Sequence, residues 1–227
     1  MNIALLEHDT ITIKSGDDRI KLFRIISTRG ITIKKPVFDK NANLLIWEDE
    51  FIEKHSIGGY VESINQLEGN SWLDSHAKVW GNAKIIDSVI MDTAKVCDDA
   101  VISNSYITNL AMICNNAKIN ESWVGDQVLV KQNAEIQNSK LFNSCMVFGN
   151  AKVFKSYIYD GCYVMKDAIV EGCTMKDTSM IGGNAHVRNC MLSNRASFTE
   201  GVHESKNIDF DVELKSVIPD RFYEVDF

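Results

Sequence analysis

One spacing governs most of the chain: from residue 71 to residue 198, a small residue and a large apolar residue recur two positions apart. The large residues follow one another at intervals of 6, 6 and 5, which repeat without a break and add up to a period of 17. Side chains two apart on a strand point to the same side, so each interval is a short strand with two inward residues. Three strands per period predict an all-β fold, a parallel β-helix with three faces and 17-residue coils. The large positions are 73, 79, 85, 90, 96, 102, 107, 113, 119, 124, 130, 136, 141, 147, 153, 158, 164, 170, 175, 181, 187, 192 and 198.

Residues 17 apart stack on one another in such a coil, so each column should hold one kind of side chain. The inward small columns meet this requirement, since one is alanine throughout, a second is serine followed by cysteine, and a third mixes alanine, valine, cysteine and serine. Only two prolines occur, Pro36 and Pro219, and both lie outside the repeat, as an uninterrupted sheet requires. The alanine column is Ala83, Ala100, Ala117, Ala134, Ala151, Ala168 and Ala185.

Two further columns consist of asparagine and aspartate and indicate the corners between strands. These residues tolerate left-handed backbone best after glycine, and they form local hydrogen bonds in tight turns. One column is Asn82, Asp99, Asn116, Asn133, Asn150, Asp167 and Asn184, and the other is Asp92, Asn109, Asp126, Asn143, Asp160, Asp177 and Asn194.

The two ends of the chain depart from the repeat. Alternating short strands over 10–14, 20–26, 31–33 and 44–47, with turns at 15–17 and 39–41, predict a β cap on one end of the rod. The register fails after Phe198, because Glu204 falls where an aliphatic residue is due. The expected organisation is an N-terminal β cap over 1–70, the β-helix over 71–200, and a tail over 201–227. The tail either caps the other end or docks as an arm on a partner.

Three stretches around the start of the repeat carry a resemblance to a known family. They read GGYVES at 58–63, GNSW at 69–72 and VWGNAKI at 79–85, with LFRI upstream at 22–25. In these stretches the chain resembles the YdcK-type hexapeptide-repeat β-helix proteins of enterobacteria and phages, which are distantly similar to hexapeptide acyltransferases. The resemblance implies left-handed winding, which the spacing alone does not settle.

The same resemblance makes transfer of an acyl group from acyl-CoA the leading enzymatic hypothesis. Such chemistry needs a histidine general base, and the candidates are His76 at a corner and His186 on an outward position. Most of these enzymes extrude a loop from one coil to build the acceptor site. The repeat has no break between 73 and 198, which argues against that activity. The alternative is that both histidines are solvated surface residues.

Six cysteines fall into three pairs 17 residues apart: Cys97/Cys114, Cys145/Cys162 and Cys173/Cys190. Adjacent coils would bring each pair within disulfide reach. The first ten residues do not resemble a secretory signal, so a cytoplasmic location and reduced thiols are expected. No Cys/His metal spacing and no phosphate-binding glycine loop occur, and the prediction is no metal and no cofactor.

Charge and hydropathy exclude other classes of partner. A net charge of -7 argues against nucleic-acid binding, because phosphates are bound by basic residues. The sequence has no apolar run of 18 residues, so no membrane span is expected.

The outward residues differ among the three faces. The charged face, next to the alanine column, carries Lys84, Lys118, Glu135, Gln137, Lys152, Glu171 and Arg188. The Met/Tyr face has an outward column of Met112, Leu129, Met146, Tyr163 and Met180, with Trp80, Phe148 and Met165 beside it. The aromatic face has Tyr106, Trp123 and Tyr157, with Met91, Phe142 and Tyr159 beside them. Contiguous apolar stripes of this kind are typical of interfaces. We expect a homo-oligomer interface on the Met/Tyr face and a second contact on the aromatic face; alternatively, the N-terminal segment or the tail covers one stripe.

Three functions remain open. The first is a non-catalytic, oligomeric β-helix, a dimer or trimer, that binds another macromolecule; a further hypothesis is a phage or prophage accessory protein that inhibits a host factor. The second is an acyl-CoA-dependent acyltransferase with His76 or His186 as the base. The third is a protein that sequesters a small ligand between subunits.

Overall fold

The computed structural model describes residues 2–39, 44–74, 76–205 and 207–209. Over these residues the chain is all β apart from one short 3-10 helix, Ile64–Gln66, and its parallel strands wind into a three-sheet β-helix. The predicted fold class is confirmed, while the hand of the winding stays a prediction. Within the same residues, no helix is long and apolar enough to cross a membrane.

Two antiparallel hairpins precede the coils. β1 (Ile3–Ser15) pairs with β2 (Asp18–Ser27), and β3 (Ile31–Asp39) pairs with β4 (Leu44–Ile52). β2 also pairs with β5 (Ile57–Val61), which in turn runs parallel to the first coil. The first hairpin is therefore an extension of one sheet of the solenoid.

All four predicted N-terminal strands are present, and each is longer than its prediction. The first predicted turn lies between β1 and β2, whereas residues 40 and 41 of the second lie outside the described residues. Four isoleucines of the hairpins belong to the same buried cluster as the solenoid interior, as a cap requires. They are Ile3, Ile25, Ile31 and Ile33.

Gly58 and Gly59 let β5 lie close against the first coil. A Cβ atom at Gly58 would lie 2.6 Å from the carbonyl oxygen of Leu73, and one at Gly59 would lie 2.5 Å from that of Ala77. Contacts with backbone atoms cannot be relieved by a side-chain rotation, so any larger residue would push β5 away. This close packing explains why glycine occupies both positions of the GGYVES stretch at 58–63.

The 17-residue register holds from coil to coil. Ile119 pairs with Ile102 on one side and with Ile136 on the other, and the alanine column is fully buried. Two of the sheets have nine strands each. With coils about 4.8 Å apart, nine coils make a rod about 40 Å long.

The strands of the three sheets are two or three residues long beyond β5. The Met/Tyr face lies on Lys78–Val79, Lys95–Val96, Met112–Ile113, Leu129–Val130, Met146–Val147, Tyr163–Val164, Met180–Ile181 and Ser197–Phe198. The charged face lies on Leu67–Glu68, Lys84–Ile86, Val101–Ser103, Lys118–Asn120, Glu135–Gln137, Lys152–Phe154, Ile169–Glu171, His186–Arg188 and Val202–Glu204. The aromatic face lies on Trp72–Leu73, Val89–Ile90, Tyr106–Ile107, Trp123–Val124, Lys140–Leu141, Tyr157–Ile158, Thr174–Met175, Met191–Ser193 and Asn207–Asp209.

The serine column stabilises its corner through a hydrogen-bond ladder. The Oγ atom of Ser105 accepts from the backbone N–H of Ser122 at 3.1 Å and donates to the carbonyl oxygen of Ser103 at 2.6 Å. The same arrangement repeats at Ser122 and Ser139. A buried N–H group without a partner is costly, which explains why serine rather than alanine fills this column.

The two Asn/Asp columns play different parts. Every member of the column from Asp92 to Asn194 has a positive φ, between 48° and 59°, as predicted. In the column from Asn82 to Asn184 the left-handed residue is instead the preceding one, for example Gly81 and Asp98. The predicted position was therefore wrong by one residue for this corner. Its asparagines form a side-chain ladder instead, with Asn116, Asn133, Asn150 and Asp167 joined by hydrogen bonds of 2.8–3.0 Å.

The winding continues beyond the predicted repeat with one residue fewer in the last coil. His203 lies opposite Val187, and Ile208 lies opposite Leu192, each 16 residues away. Because of this deletion, His203 rather than Glu204 occupies the inward position that the 17-residue period assigns to residue 204. Ile208 of the same coil is buried. The predicted role of the tail otherwise falls on residues 210–227, which lie outside the described residues.

Candidate interaction faces

The first hairpin covers the near end of the Met/Tyr face. Side chains of β1 and β2 form a buried apolar cluster with residues of the first coils, so the near end of the stripe packs within the chain itself. The buried members are Leu22, Tyr60, Trp80, Cys97 and Cys114, and the half-buried ones around them are Ile11, Ile13, Ile20, Met112 and Leu129.

The far end of the Met/Tyr face extends past that cluster. Met146, Tyr163 and Met180 pair with one another across three successive strands and are half-buried in the single chain. Phe148 beside them is also half-buried, while Met165 is only 5% exposed. The open part of the stripe is thus Met146, Phe148, Tyr163 and Met180; Trp80 and Met165 contribute mainly to packing within the chain.

The aromatic face is a continuous ladder of rings that begins on the second hairpin. Trp47 of β4 meets Tyr106 edge-on, with ring centroids 6.5 Å apart, and Tyr106 is 5% exposed beneath it. The centroid distances along the rest of the ladder are 6.2 Å for Tyr106–Trp123, 4.7 Å for Trp123–Phe142, 6.2 Å for Phe142–Tyr157 and 4.8 Å for Tyr157–Tyr159.

Exposure rises along this ladder away from the hairpin. Tyr157 is 44% exposed, and Met191, two strands further along the same sheet, is 49% exposed. Burial raises the pKa of Tyr106 to about 12, and the nearby carboxylates of Glu50 and Asp92 act in the same direction. Burial also raises the pKa of Tyr157. Both apolar stripes therefore start beneath a hairpin and become accessible further along the rod.

A groove of about 560 Å³ lies between the second hairpin and a corner of the solenoid. On the hairpin side it is lined by Trp47 and by the Lys34–Asp49 ion pair, whose nitrogen and oxygen are 2.5 Å apart. The other wall is a left-handed corner column that includes Asp87 and Asn104. The groove places the Trp47 ring beside amide and carboxylate groups. Its solenoid wall, however, consists of the same turn residues that occur in every coil, so these residues are explained by the repeat.

The two candidate histidines lie far apart. His76 is exposed between the strands Trp72–Leu73 and Lys78–Val79, six coils before His186. At about 4.8 Å per coil this separates them by about 30 Å, so they cannot belong to one site within a subunit. The Nε2 atom of His186 accepts a hydrogen bond of 2.8 Å from Nε of Arg188, which occupies the lone pair that a general base would use.

All six cysteines are free and buried. Cys145 and Cys162 donate hydrogen bonds to the carbonyl oxygens of Phe142 and Tyr159, at 2.9 and 3.0 Å. Burial raises the pKa of the Cys173 thiol to about 11.

The Cys97/Cys114 pair shares one feature with Cys145/Cys162, where a hydrogen bond between the thiols likewise lowers the pKa of one cysteine and raises that of the other. A hydrogen bond from Cys97 to Cys114 raises the pKa of the Cys97 thiol and lowers that of Cys114. The sulfur atoms of both residues and a carboxylate oxygen of Asp98 lie within 4.8 Å of one another. The sequence pairs Cys97 with Cys114 on adjacent coils, but it did not indicate Asp98 as a third donor beside them, so the site was missed. The signal that could have found it is the column itself, where cysteine stands among large residues.

Comparison with known proteins identifies no family for this chain. No protein-family model matches the chain, and no curated protein matches it. Among solved structures, one similar chain is a protein of Desulfovibrio desulfuricans G20 that is provisionally named an acetyltransferase. The two share 10% identity with a TM-score of 0.30, over 69% of this chain and 58% of that one. The β-solenoid is consistent with the hexapeptide-repeat β-helix proteins that the sequence resembles.

Proposed function

We propose that this protein is a non-catalytic, homo-oligomeric β-helix that acts as an interaction module, with its subunits joined through the open part of the Met/Tyr face. The observation that carries the proposal is the position of Met146, Tyr163 and Met180, which form an unbroken outward column on three successive coils. The first hairpin occupies the near end of the same face, so the contact with a second subunit begins where the hairpin ends.

The chemistry of this column suits a subunit contact. Methionine adapts its shape to a facing surface, and tyrosine and phenylalanine add large apolar area with a polar edge. Completing the burial of a large apolar side chain contributes at most about 1.5–3 kcal/mol. These side chains are already half-buried in one chain, so several must act together to offset the cost of association.

The experiment compares two variants with the same change in charge. Met146→Glu with Met180→Glu lowers the net charge by two on the Met/Tyr face, and Lys118→Glu does so on the charged face. Native mass spectrometry and light scattering should give a dimer or trimer for the wild type and for Lys118→Glu, and a monomer for the double variant. A monomeric wild type, or a double variant of unchanged mass, would rule out this face.

A finer proposal concerns the partner. The resemblance to YdcK-type proteins supports a phage or prophage accessory protein, and the open end of the aromatic face, around Tyr157, supports binding of a host protein there. Affinity purification of the wild type from host lysate should recover one stoichiometric protein that is lost with Tyr157→Glu and kept with Met146→Glu plus Met180→Glu. A small molecule bound without any protein would favour the sequestering alternative.

A further inference from the structure

Cys97 and Cys114 stand in a column where nothing limits the size of the side chain. The positions 17 apart in that column are Trp80, Cys97, Cys114, Lys131, Phe148, Met165 and Gly182. The other four cysteines occupy the inward columns, which elsewhere hold mainly alanine or serine because the narrow interior admits only small residues. Packing in the coil thus accounts for those four cysteines and leaves this pair unexplained.

The hydrogen bonds set the pair apart as well. The thiols of Cys145, Cys162, Cys173 and Cys190 each lie within hydrogen-bonding distance of a backbone carbonyl oxygen, at 2.9–3.2 Å. Within the described part of the chain, the thiols of Cys97 and Cys114 make no such backbone contact, and their sulfur atoms lie within 4.8 Å of each other. Their sulfur atoms are therefore not committed to the backbone and remain available to a ligand.

A carboxylate completes a set of three donors. A side-chain oxygen of Asp98 and the two sulfur atoms all lie within 4.8 Å of one another. The backbone N–H and the side-chain amide of Asn115 donate to Oδ2 of Asp98, at 2.8 and 2.9 Å. These two bonds hold the carboxylate in place, as hydrogen bonds to the ligands of bound metals commonly do.

The surroundings would shield such a site. Leu22, Tyr60 and Trp80 pack around the two cysteines in the cluster beneath the first hairpin, and Trp80 is 7% exposed. The indole Nε1 atom of Trp80 is buried and has no hydrogen-bond partner among the described residues. The shell is thus apolar and holds one unused hydrogen-bond donor.

We propose that Cys97, Asp98 and Cys114 bind one thiophilic divalent cation of the zinc type. Two sulfur ligands and one oxygen ligand suit Zn(II), and three protein ligands leave one tetrahedral position to solvent or an external ligand. Each thiol releases one proton on binding, so two protons leave and the set of two thiolates and one carboxylate carries a charge of about -3. The cation offsets two of these charges. The positive charges of Lys95 and Lys131 also favour the thiolate forms of Cys97 and Cys114, respectively.

This cation would join two neighbouring coils at the point where the first hairpin packs on the solenoid. The proposal is independent of the oligomer interface, because all three donors belong to one chain, with both cysteines buried and Asp98 half-buried. Binding to the folded state alone should raise the melting temperature as the metal concentration increases.

The test uses the reduced full-length chain with Zn(II) and with Co(II) as a spectroscopic probe. We expect one equivalent of metal by native mass spectrometry and a thiolate-to-cobalt charge-transfer band in the near ultraviolet. Cys97→Ser with Cys114→Ser should lose both signals. The matched control, Cys145→Ser with Cys162→Ser, removes another stacked pair and should keep both signals.

A single variant keeps the test decisive if the double cysteine variant does not fold. Asp98→Asn preserves an oxygen that can accept from Asn115 but removes the charge, and it should weaken Co(II) binding by about tenfold or more. The proposal is overturned by a wild type without the charge-transfer band, by an unchanged affinity in Asp98→Asn, or by loss of metal in the control pair only.

Discussion

The solenoid and the two N-terminal hairpins are both built from β-strands, yet they obtain their order in different ways. In the solenoid, strands of two or three residues are held by the coils above and below, and each residue has a counterpart 17 positions away. The hairpins have strands of 9 to 13 residues, and their pairing includes a bulge between Leu6 and Thr10. No column repeats their residues.

This difference decides which surface is accessible. The repeat alone would present two apolar stripes along the whole rod. The hairpins cover the near end of each, the first through Leu22 and its neighbours and the second through Trp47. The irregular part of the chain therefore limits the interaction faces that the regular part creates.

The largest expected effect tests the mutual support of the coils. Ile119→Ala removes a fully packed side chain between Ile102 and Ile136 and should lower the free energy of unfolding by about 2–5 kcal/mol. Urea unfolding followed by circular dichroism measures the loss. Lys118→Ala next to it points outward and should change the free energy by less than about 0.5 kcal/mol. Equal effects of the two variants would contradict the assignment of inward and outward positions.

A second test concerns the junction of the second hairpin and the aromatic face, through pH. Burial raises the pKa of Tyr106 from 10.0 to about 12, so the folded state keeps its proton in a range where the unfolded chain loses it. The contribution of protonated Tyr106 to the free energy of unfolding is fully present below about pH 10. It is lost as the pH rises through about 12, and the total loss is about 2–3 kcal/mol. Tyr106→Phe should remove this part of the alkaline loss.

The measurement is denaturant unfolding of wild type and Tyr106→Phe at several pH values across that range. Tyr157→Phe is the control, because its ring is 44% exposed and solvent screens its ionisation. An alkaline profile for Tyr106→Phe that matches the wild type would show that Tyr106 is not buried by the hairpin.

The smallest expected effect tests whether the second hairpin can loosen independently of the solenoid. Trp47→Ala removes one edge-on ring contact, worth about 0.5–1.5 kcal/mol, and should loosen β3 and β4 without moving the solenoid. Hydrogen exchange should become faster in the described residues of that hairpin and stay unchanged from residue 84 onward. Phe51→Ala, on the same strand and 65% exposed, is the matched control. Faster exchange throughout the rod would mean that the two parts unfold as one unit.

Particular residues show how far the sequence reaches into the fold. The inward positions from Leu73 to Leu192 and the left-handed corners from Asp92 to Asn194 are where the repeat places them. The corner at Asn82 was misplaced by one residue, because asparagine suits both a left-handed turn and a side-chain ladder. The last coil could not be predicted, since a one-residue deletion restores packing only after the chain has wound back on itself.

The candidate sites divide along the same line. The 17-residue spacing by itself determined the coil, its three faces and the identity of each apolar stripe, because every coil repeats the same local constraint. Only the tertiary structure decided which part of each stripe stays open and that Asp98 lies beside the stacked thiols of Cys97 and Cys114. Those features depend on how the non-repeating hairpins pack and on how side chains of neighbouring coils are oriented at a corner. A periodic sequence pattern does not encode either of them.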